Sequence, residues 1–508
     1  MKIFIAAIFV IFTSSNLLMA QNFYDPNELF HQSKNTPLSG ELKQRKLTNS
    51  RMMKLLSSVT TYKQDLFERV NFQQEQYNEP SEFQMTTGIG LTRVDSTNYY
   101  LLNLFPSYTT RDQSFSADLD LPLRFKSDGF DFRKEDYKTF TQVLSSLNVT
   151  YTQITQSNDF GIQGAFKQVK EHSLGNGSLM YQYNNSTSYE ARKSGINLAA
   201  AIIGGSANFM LSDITSGGVL GIGLDAEILQ LAGGKSGKLD IPVLKHLELG
   251  FNFAGDFNEN AGILKIDTLT GKVLEDIGSI NMINTYLAVR LFDTQEFFIK
   301  GYADYSKIFS FGDNFMLGAD MNLYTDFGSL VVTFQRRFQG GKYLPTYFDS
   351  FYEKDRYSIT NKLNGTYALN SKAALLNSME ELKGSTYLQS FLEIGKQLYL
   401  LGAYQKIDAL DLGGEVYMIA ALPNISPDFS IYGGYYKRRI DDVKNLFTFD
   451  ENAYFFGKLD YYLSEMIVAS LSYQQTFAAV RDNNGAIISY EPQKRLQPEI
   501  NFILPLGR

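Results

Sequence analysis

From Gly312 to Phe338 the chain alternates. Phe315, Leu317, Ala319, Met321 and Leu323 interleave with Met316, Gly318, Asp320, Asn322 and Tyr324. Side chains on a strand point to opposite faces with period two, so one face of this segment is apolar and the other largely polar. Thr325-Asp326-Phe327-Gly328 supplies residues that tolerate turn dihedrals, and a second arm sets Leu330, Val332 and Phe334 against Val331, Thr333, Gln335 and Arg337. The pattern predicts a β-hairpin. A soluble sandwich would alternate in the same way, so the recurrence of the pattern and the lengths of its segments decide the class.

Ser114 to Lys126 repeats it over a longer run, with Phe115, Ala117, Leu119, Leu121, Leu123 and Phe125 against Ser116, Asp118, Asp120, Pro122 and Arg124. About 9 to 11 residues is the length of a tilted membrane strand. Further strands are expected near 246–255, 285–293, 297–306, 314–324, 328–338, 385–394, 398–406, 412–422, 428–438, 453–463, 466–477 and 496–506. Beyond 285 the connections alternate: tight at 294–295, 325–327, 395–397, 423–427 and 464–465, longer at 307–313, 339–384, 407–411, 439–452 and 478–495. Short periplasmic turns and longer extracellular loops sort in this way in outer-membrane barrels, and the register leaves the C-terminus on the periplasmic side. Less regular candidates start near 84, 97, 114, 148, 159, 196, 206 and 217, and 134–147 has helical spacing. The expected fold is an all-β, antiparallel transmembrane β-barrel of about 16–20 strands over residues 83–508.

The beginning of the chain follows another pattern. One early Lys, an apolar run from Ile3 to Phe12 and Ala20 have the form of a signal peptide over 1–20, which implies export. Residues 21–82 are polar and partly helical and are expected to be a periplasmic extension, more often a solvated tail in chains of this kind, with plugging of the lumen or contact with a protein partner through 21–80 as the alternative. A formal charge of -7 and the lack of long basic runs argue against nucleic acid. With no Cys, disulfides, thiolate catalysis and thiolate-held metals are excluded.

Three runs, SLGNGSLMYQYNN at 173–185 followed by Arg192-Lys193-Ser194-Gly195, LELGFNFAGDFN at 247–258, and GGKYLPTYFDSFYEKDRY at 340–357, resemble a porin-like family of exported outer-membrane β-barrels of Gram-negative bacteria. The resemblance covers most of 85–460 and implies a barrel in the outer membrane, with no assigned chemistry. Members often carry His between the two glycines of the first run, where this chain has Asn176. Barrels of this kind end on an aromatic; here Phe502 and Leu506 are nearest to that place.

Candidate chemistry is sparse. The histidines are His31, His172 and His246. His172-Ser173 invites comparison with a nucleophile and its base, but sequence neighbours seldom have that geometry. His246 shares a strand face with Glu248 and Asn252, and Asp118 with Asp120, where a polar lumen wall explains both. Glycine pairs at 204–205 and 217–218 read as turns. No enzyme, metal or cofactor is expected. The polar faces place Arg290, Lys300, Asp304, Asp320, Asn322, Gln335, Arg337, Lys458 and Asp460 in the lumen. Tyr343, Tyr347, Phe348, Phe351, Tyr352 and Tyr357 make an aromatic loop that is expected to constrict the lumen or bind a ligand. Passage of small solutes is the function this architecture implies, with a non-conducting scaffold or docking barrel as the alternative and an outer-membrane hydrolase as a remote one.

Overall fold

A computed structural model describes residues 83–506 apart from 111, 113, 155–159, 171, 189–190, 203, 234–245, 295, 326, 362–364, 396, 409–412, 427, 449, 465 and 482–486. The expected signal peptide, the expected extension at 21–82 and His31 lie outside the described residues. Twenty strands form one antiparallel barrel. They are β1 (Phe83–Val94), β2 (Thr97–Thr109), β3 (Phe115–Leu119 continued by Leu121–Lys126), β4 (Leu147–Ile154), β5 (Phe160–Lys167), β6 (Gly195–Ile202), β7 (Gly205–Leu211), β8 (Val219–Glu227), β9 (Glu248–Asp256) and β10 (Ile280–Asp293). There follow β11 (Phe297–Ile308), β12 (Gly312–Thr325), β13 (Gly328–Gly341), β14 (Ser385–Ile394), β15 (Leu398–Ile407), β16 (Gly414–Ser426), β17 (Phe429–Ile440), β18 (Ala453–Ser464), β19 (Ile467–Arg481) and β20 (Ile487–Pro505).

Closure comes from β1 against β20, from Gln84 opposite Pro505 to Val94 opposite Arg495. Beyond Arg495 the last strand keeps ladder partners on β19 only, with Ser489 opposite Val480 and Pro492 opposite Phe477. All eight early candidates are wall strands. The run at 114–126 is broken at Asp120: its first half pairs with both β2 and β4, and its second with β2 alone. Asp120 leaves the ladder and donates its amide to the Ser146 carbonyl at 2.8 Å.

Two of the expected longer loops are cut to a few residues. The expected loop at 307–313 shrinks to 309–311, because Lys307 and Asp313 are still paired across β11 and β12. The expected loop at 478–495 shrinks to 482–486, with Ala478 opposite Glu491. Loops still sort by end. Connections 127–146, 168–194, 257–279, 342–384 and 441–452 leave one end, whereas 294–296, 326–327, 395–397, 427–428 and 465–466 close the other; 228–247, which includes the helix Ile228–Gly233, is the long exception there.

The alternation is the cause of the wall. On β12, Phe315 and Leu317 are exposed and Asn314 and Met316 buried; on β13, Phe334 and Phe338 are exposed while Gln335, Arg337 and Gln339 are buried. The outward row is apolar and meets lipid, and the closed ladder pairs neighbouring strands through their backbone groups, as a crossing of hydrocarbon requires. Where a ring lies across the inner wall its neighbour must be small: a Cβ on Gly318 would stand 2.2 Å from the Tyr302 ring.

Candidate functional site

The inward face of β10 to β15 gathers several of the polar residues. Gln335 Nε2 donates to Tyr302 OH at 2.9 Å and to the Asn176 carbonyl at 2.8 Å. Arg337 donates from Nε and Nη2 to Gln335 Oε1 at 3.1 and 2.6 Å, and from Nη1 to Gln405 Oε1 at 2.5 Å. Asp304 accepts from Asn284 Nδ2 at 2.5 Å, Ser178 Oγ at 3.3 Å and Asn176 Nδ2 at 3.5 Å. Asp304 and Gln335 therefore share Asn176 of the loop 168–194, and Arg337 joins them through Gln335.

Asp320 reaches this group through Tyr302, and the other residues lie apart from it. Lys300 Nζ is 3.3 Å from Glu248 and Arg290 Nη2 is 3.1 Å from Glu227, to which His246 Nδ1 also comes within 3.5 Å. Asp320 stands opposite Lys300 in register, and Asn322 is buried two positions further on the same face. Lys458 and Asp460 form a separate pair on β18 at 3.1 Å, with Ser470 Oγ donating to Asp460 at 2.5 Å.

Loop 168–194 enters the barrel as a narrow hairpin. His172 and Tyr183 exchange backbone hydrogen bonds at 3.0 and 2.8 Å, and the chain reverses through Leu174 to Ser178. Gly175 has φ +52°, and a Cβ there would lie 2.4 Å from Asn252 Nδ2 on the wall, so the conformation and the close approach both require glycine. Loop 342–384 packs onto this hairpin. Thr346 and Phe348 donate their amides to the Ser178 and Leu179 carbonyls at 2.9 and 3.1 Å, Tyr181 donates to Phe348, and Tyr343 OH donates to the Ser178 carbonyl at 2.9 Å. Tyr343, Tyr347 and Phe348 have no exposed surface, and Phe351 and Tyr352 almost none. Phe348 and Tyr352 have ring centres 4.7 Å apart, and Phe351 lies 4.9 Å from Tyr436 of β17. Tyr357 is half-buried and opens the small hairpin Tyr357–Asn361 with Tyr367–Ser371, apart from this ring cluster.

A charged network joins the two loops to the wall. Glu353 takes Lys193 at 2.8 Å, Arg356 at 2.8 Å and the Tyr183 hydroxyl; Asp256 of β9 takes Arg356 Nε at 2.6 Å and Tyr352 OH at 2.7 Å. Lys372 meets Asp349 at 2.6 Å over the Tyr347 ring, and Arg438 of β17 pairs with Asp355 above Phe351. Burial alone would raise the Glu353 carboxyl, but Arg356 and Lys193 outweigh it and hold the group below the usual carboxylate range. Burial pushes the Lys354 ammonium down to about 8 and the His172 imidazole down to about 4.

Among the described residues neither ring nitrogen of His172 has a hydrogen-bond partner, and Ser173 Oγ instead accepts the Gln182 amide at 3.0 Å. The two are not arranged as base and nucleophile. Asp118 accepts from Asn148 Nδ2 at 2.6 Å. Among the described residues no cluster of His, Asp and Glu suits a metal ion. A concavity of about 800 Å³ is lined mainly by apolar residues of the outward row, among them Leu224, Leu249, Phe251, Leu287 and Phe315, with Asp225, Tyr286 and Asp304 also on its lining. Sequence reasoning missed Asn176, Ser178, Tyr183, Lys193, Asp256, Glu353 and Arg356 as site residues. The only signal was that all of them fall within or beside the three runs quoted above.

The chain matches no protein-family model and no curated protein. Among solved structures, a ferric enterobactin receptor mutant from Pseudomonas aeruginosa aligns over 84% of this chain and 81% of its own, at 9% identity and a TM-score of 0.35. The siderophore receptor PirA from Acinetobacter baumannii aligns over 84% and 81%, at 8% and 0.35. A mutant of Rh. blastica porin aligns over 83% and 99%, at 7% and 0.28. No conclusion below rests on these likenesses. The closed ladder, the apolar outer row and the sorted loops carry the assignment instead: the chain is a twenty-stranded β-barrel of the outer-membrane type.

Proposed function

We propose that this barrel is a porin-like channel for small solutes, narrowed at its extracellular mouth by the inward loops 168–194 and 342–384. The observation that supports this most is the contrast between the two faces of the wall. The outer row is apolar, while the inner row holds Arg290, Lys300, Asp304, Asp320, Arg337, Lys458 and Asp460. Arg290, Lys300 and Lys458 keep 35%, 20% and 25% of their side-chain surface exposed toward the interior, where water spares them the desolvation cost of several kcal/mol that a buried charge carries, whereas Asp304, Arg337 and Asp460 are buried and hydrogen-bonded. Barrels of about 16 to 18 strands already leave an aqueous channel, and this one is wider. With both signs on the wall, strong ion selectivity is not expected.

Purified protein in planar bilayers should give discrete conductance steps, and liposomes carrying it should swell in small sugars and fail to swell above a size limit. Deleting Lys342 to Tyr357 should enlarge the steps in protein that still migrates as a heat-modifiable barrel. One observation favours the scaffold reading: the rings at the mouth are packed as tightly as a protein core. Absence of conductance in both the intact and the shortened barrel would establish that reading and overturn the channel.

A further inference from the structure

The connection from β3 to β4 sends its rings the other way. Residues 127–146 leave the same end of the barrel as the inward loops, yet Phe130 and Phe140 are 67% and 71% exposed, and Phe132 and Val143 are also in the open. This is a built surface. Asp136 is fully buried and takes Arg124 of the wall at 2.9 Å and also Arg133, while Arg192 donates to its carbonyl at 3.0 Å. The helix Phe140–Leu144 is fixed by a reciprocal cap between Thr139 and Gln142 and buries Gln142 and the following Ser145 and Ser146, which leaves Phe140 and Val143 side by side on its outer face.

We propose that residues 127–146 form a membrane-seated apron, with Phe130, Phe140 and Val143 immersed in the acyl region of the outer leaflet beside the barrel. Continuity with the lipid-facing wall identifies the occupant. Phe130 stacks on Phe125 with ring centres 5.1 Å apart and lies 5.9 Å from Tyr100; both belong to the outward row of β3 and β2. To lay its ring there Phe130 adopts φ +59°, which a bulky residue takes only when its surroundings impose it. The exposed charges Lys126, Asp128, Asp131, Lys134, Glu135 and Lys138 are of both signs, so no net attraction to anionic headgroups arises. The apolar groups drive the contact, as in an interfacial helix whose apolar face sinks about 5 to 10 Å into the headgroup and acyl boundary.

The chain contains no Trp, so a single introduced indole reports its own surroundings. Phe140→Trp and Val143→Trp, reconstituted in phosphatidylcholine vesicles with and without bromine on the acyl chains, should lose fluorescence to the brominated lipid by roughly twofold or more and resist iodide. Leu269→Trp, 73% exposed in the turn of the hairpin Ile263–Ile266 with Val273–Asp276, should behave in the opposite way. Heat-modifiable migration checks the fold of each variant, and either position on the helix suffices. Quenching by iodide with none by brominated lipid would overturn the proposal. Protection from both quenchers would overturn it too, in favour of a contact with protein or a second copy.

Discussion

Loops 342–384 and 127–146 leave the same end of the barrel with similar stocks of large rings, and their rings go to opposite places. Tyr343, Tyr347 and Phe348 are wholly buried, whereas Phe130 and Phe140 stand in the open. The difference lies in what accompanies the rings. Inside, three of the five buried rings are tyrosines, two of whose hydroxyls reach acceptors, Tyr343 to Ser178 and Tyr352 to Asp256, and the loop brings carboxylates that meet Lys193, Arg356 and Arg438. Outside, they are phenylalanines with no polar atom to satisfy, which suits hydrocarbon. Aromatic content shows that a loop will bury itself; its polar ends decide in what.

The largest expected effect tests the inner half of that contrast. Glu353→Ala leaves Lys193, Arg356 and Tyr183 without their common acceptor, and removing one member of such a buried group costs about 3 to 5 kcal/mol. Hydrogen exchange in 172–183 and 343–356 should accelerate and conductance should rise, with the barrel still heat-modifiable; unaltered exchange would show that the loops are held by their rings alone. Next in size, Leu317→Arg on the outward row should cost roughly 2 to 4 kcal/mol in reversible unfolding from lipid vesicles, and a silent result would reverse the two faces.

Acid should loosen the mouth in two stages. His172 is held neutral with its folded value near 4, so its contribution to the packed state is intact above the ordinary imidazole value of about 6.5 and declines as pH falls from there toward 4. Glu353 and Asp355 are depressed below the ordinary carboxylate range; their contribution is intact above about 4 and is lost only below it. Conductance followed from pH 7 to 4 should therefore rise in the intact protein and stay flat in His172→Phe. An identical profile in both would remove His172 from the account. The smallest effect is expected of Asp320→Asn, within about 0.5 kcal/mol for folding, because Lys300 keeps Glu248 as its partner.

The wall was legible because lipid outside and water or protein inside impose a period of two on every strand that crosses. The hairpin from Gly312 to Gly341 and the sorting of the loops follow from it. Where the outward face leaves lipid the period fades: around Pro492 and Lys494 the strand continues with polar residues pointing outward, which is why 478–495 reads as a loop. The inward hairpin at 172–183 has no period at all. Its burial depends on Gly175 fitting against Asn252 and on Asn176 reaching Asp304 and Gln335, contacts between positions far apart in the chain. Lys193, Glu353 and Arg356 likewise read as ordinary solvated charges until the fold brings them together.

The one-sided pairing of β20 has a consequence for self-association. From Ile487 to about Gln493 the strand runs beyond the end of β1 as an edge row of the kind onto which another chain adds itself as a further strand, and the small strand Tyr357–Asn361 lies close to it. Pro492 lacks the amide such an addition needs and Lys494 places a charge at the point where closure begins, while Asp95 receives the Lys494 amide at 3.0 Å and ends the row. The long loop that enters the mouth thus also stands beside the strand that overhangs it, and together with Pro492 and Lys494 it guards the barrel against edge-to-edge stacking.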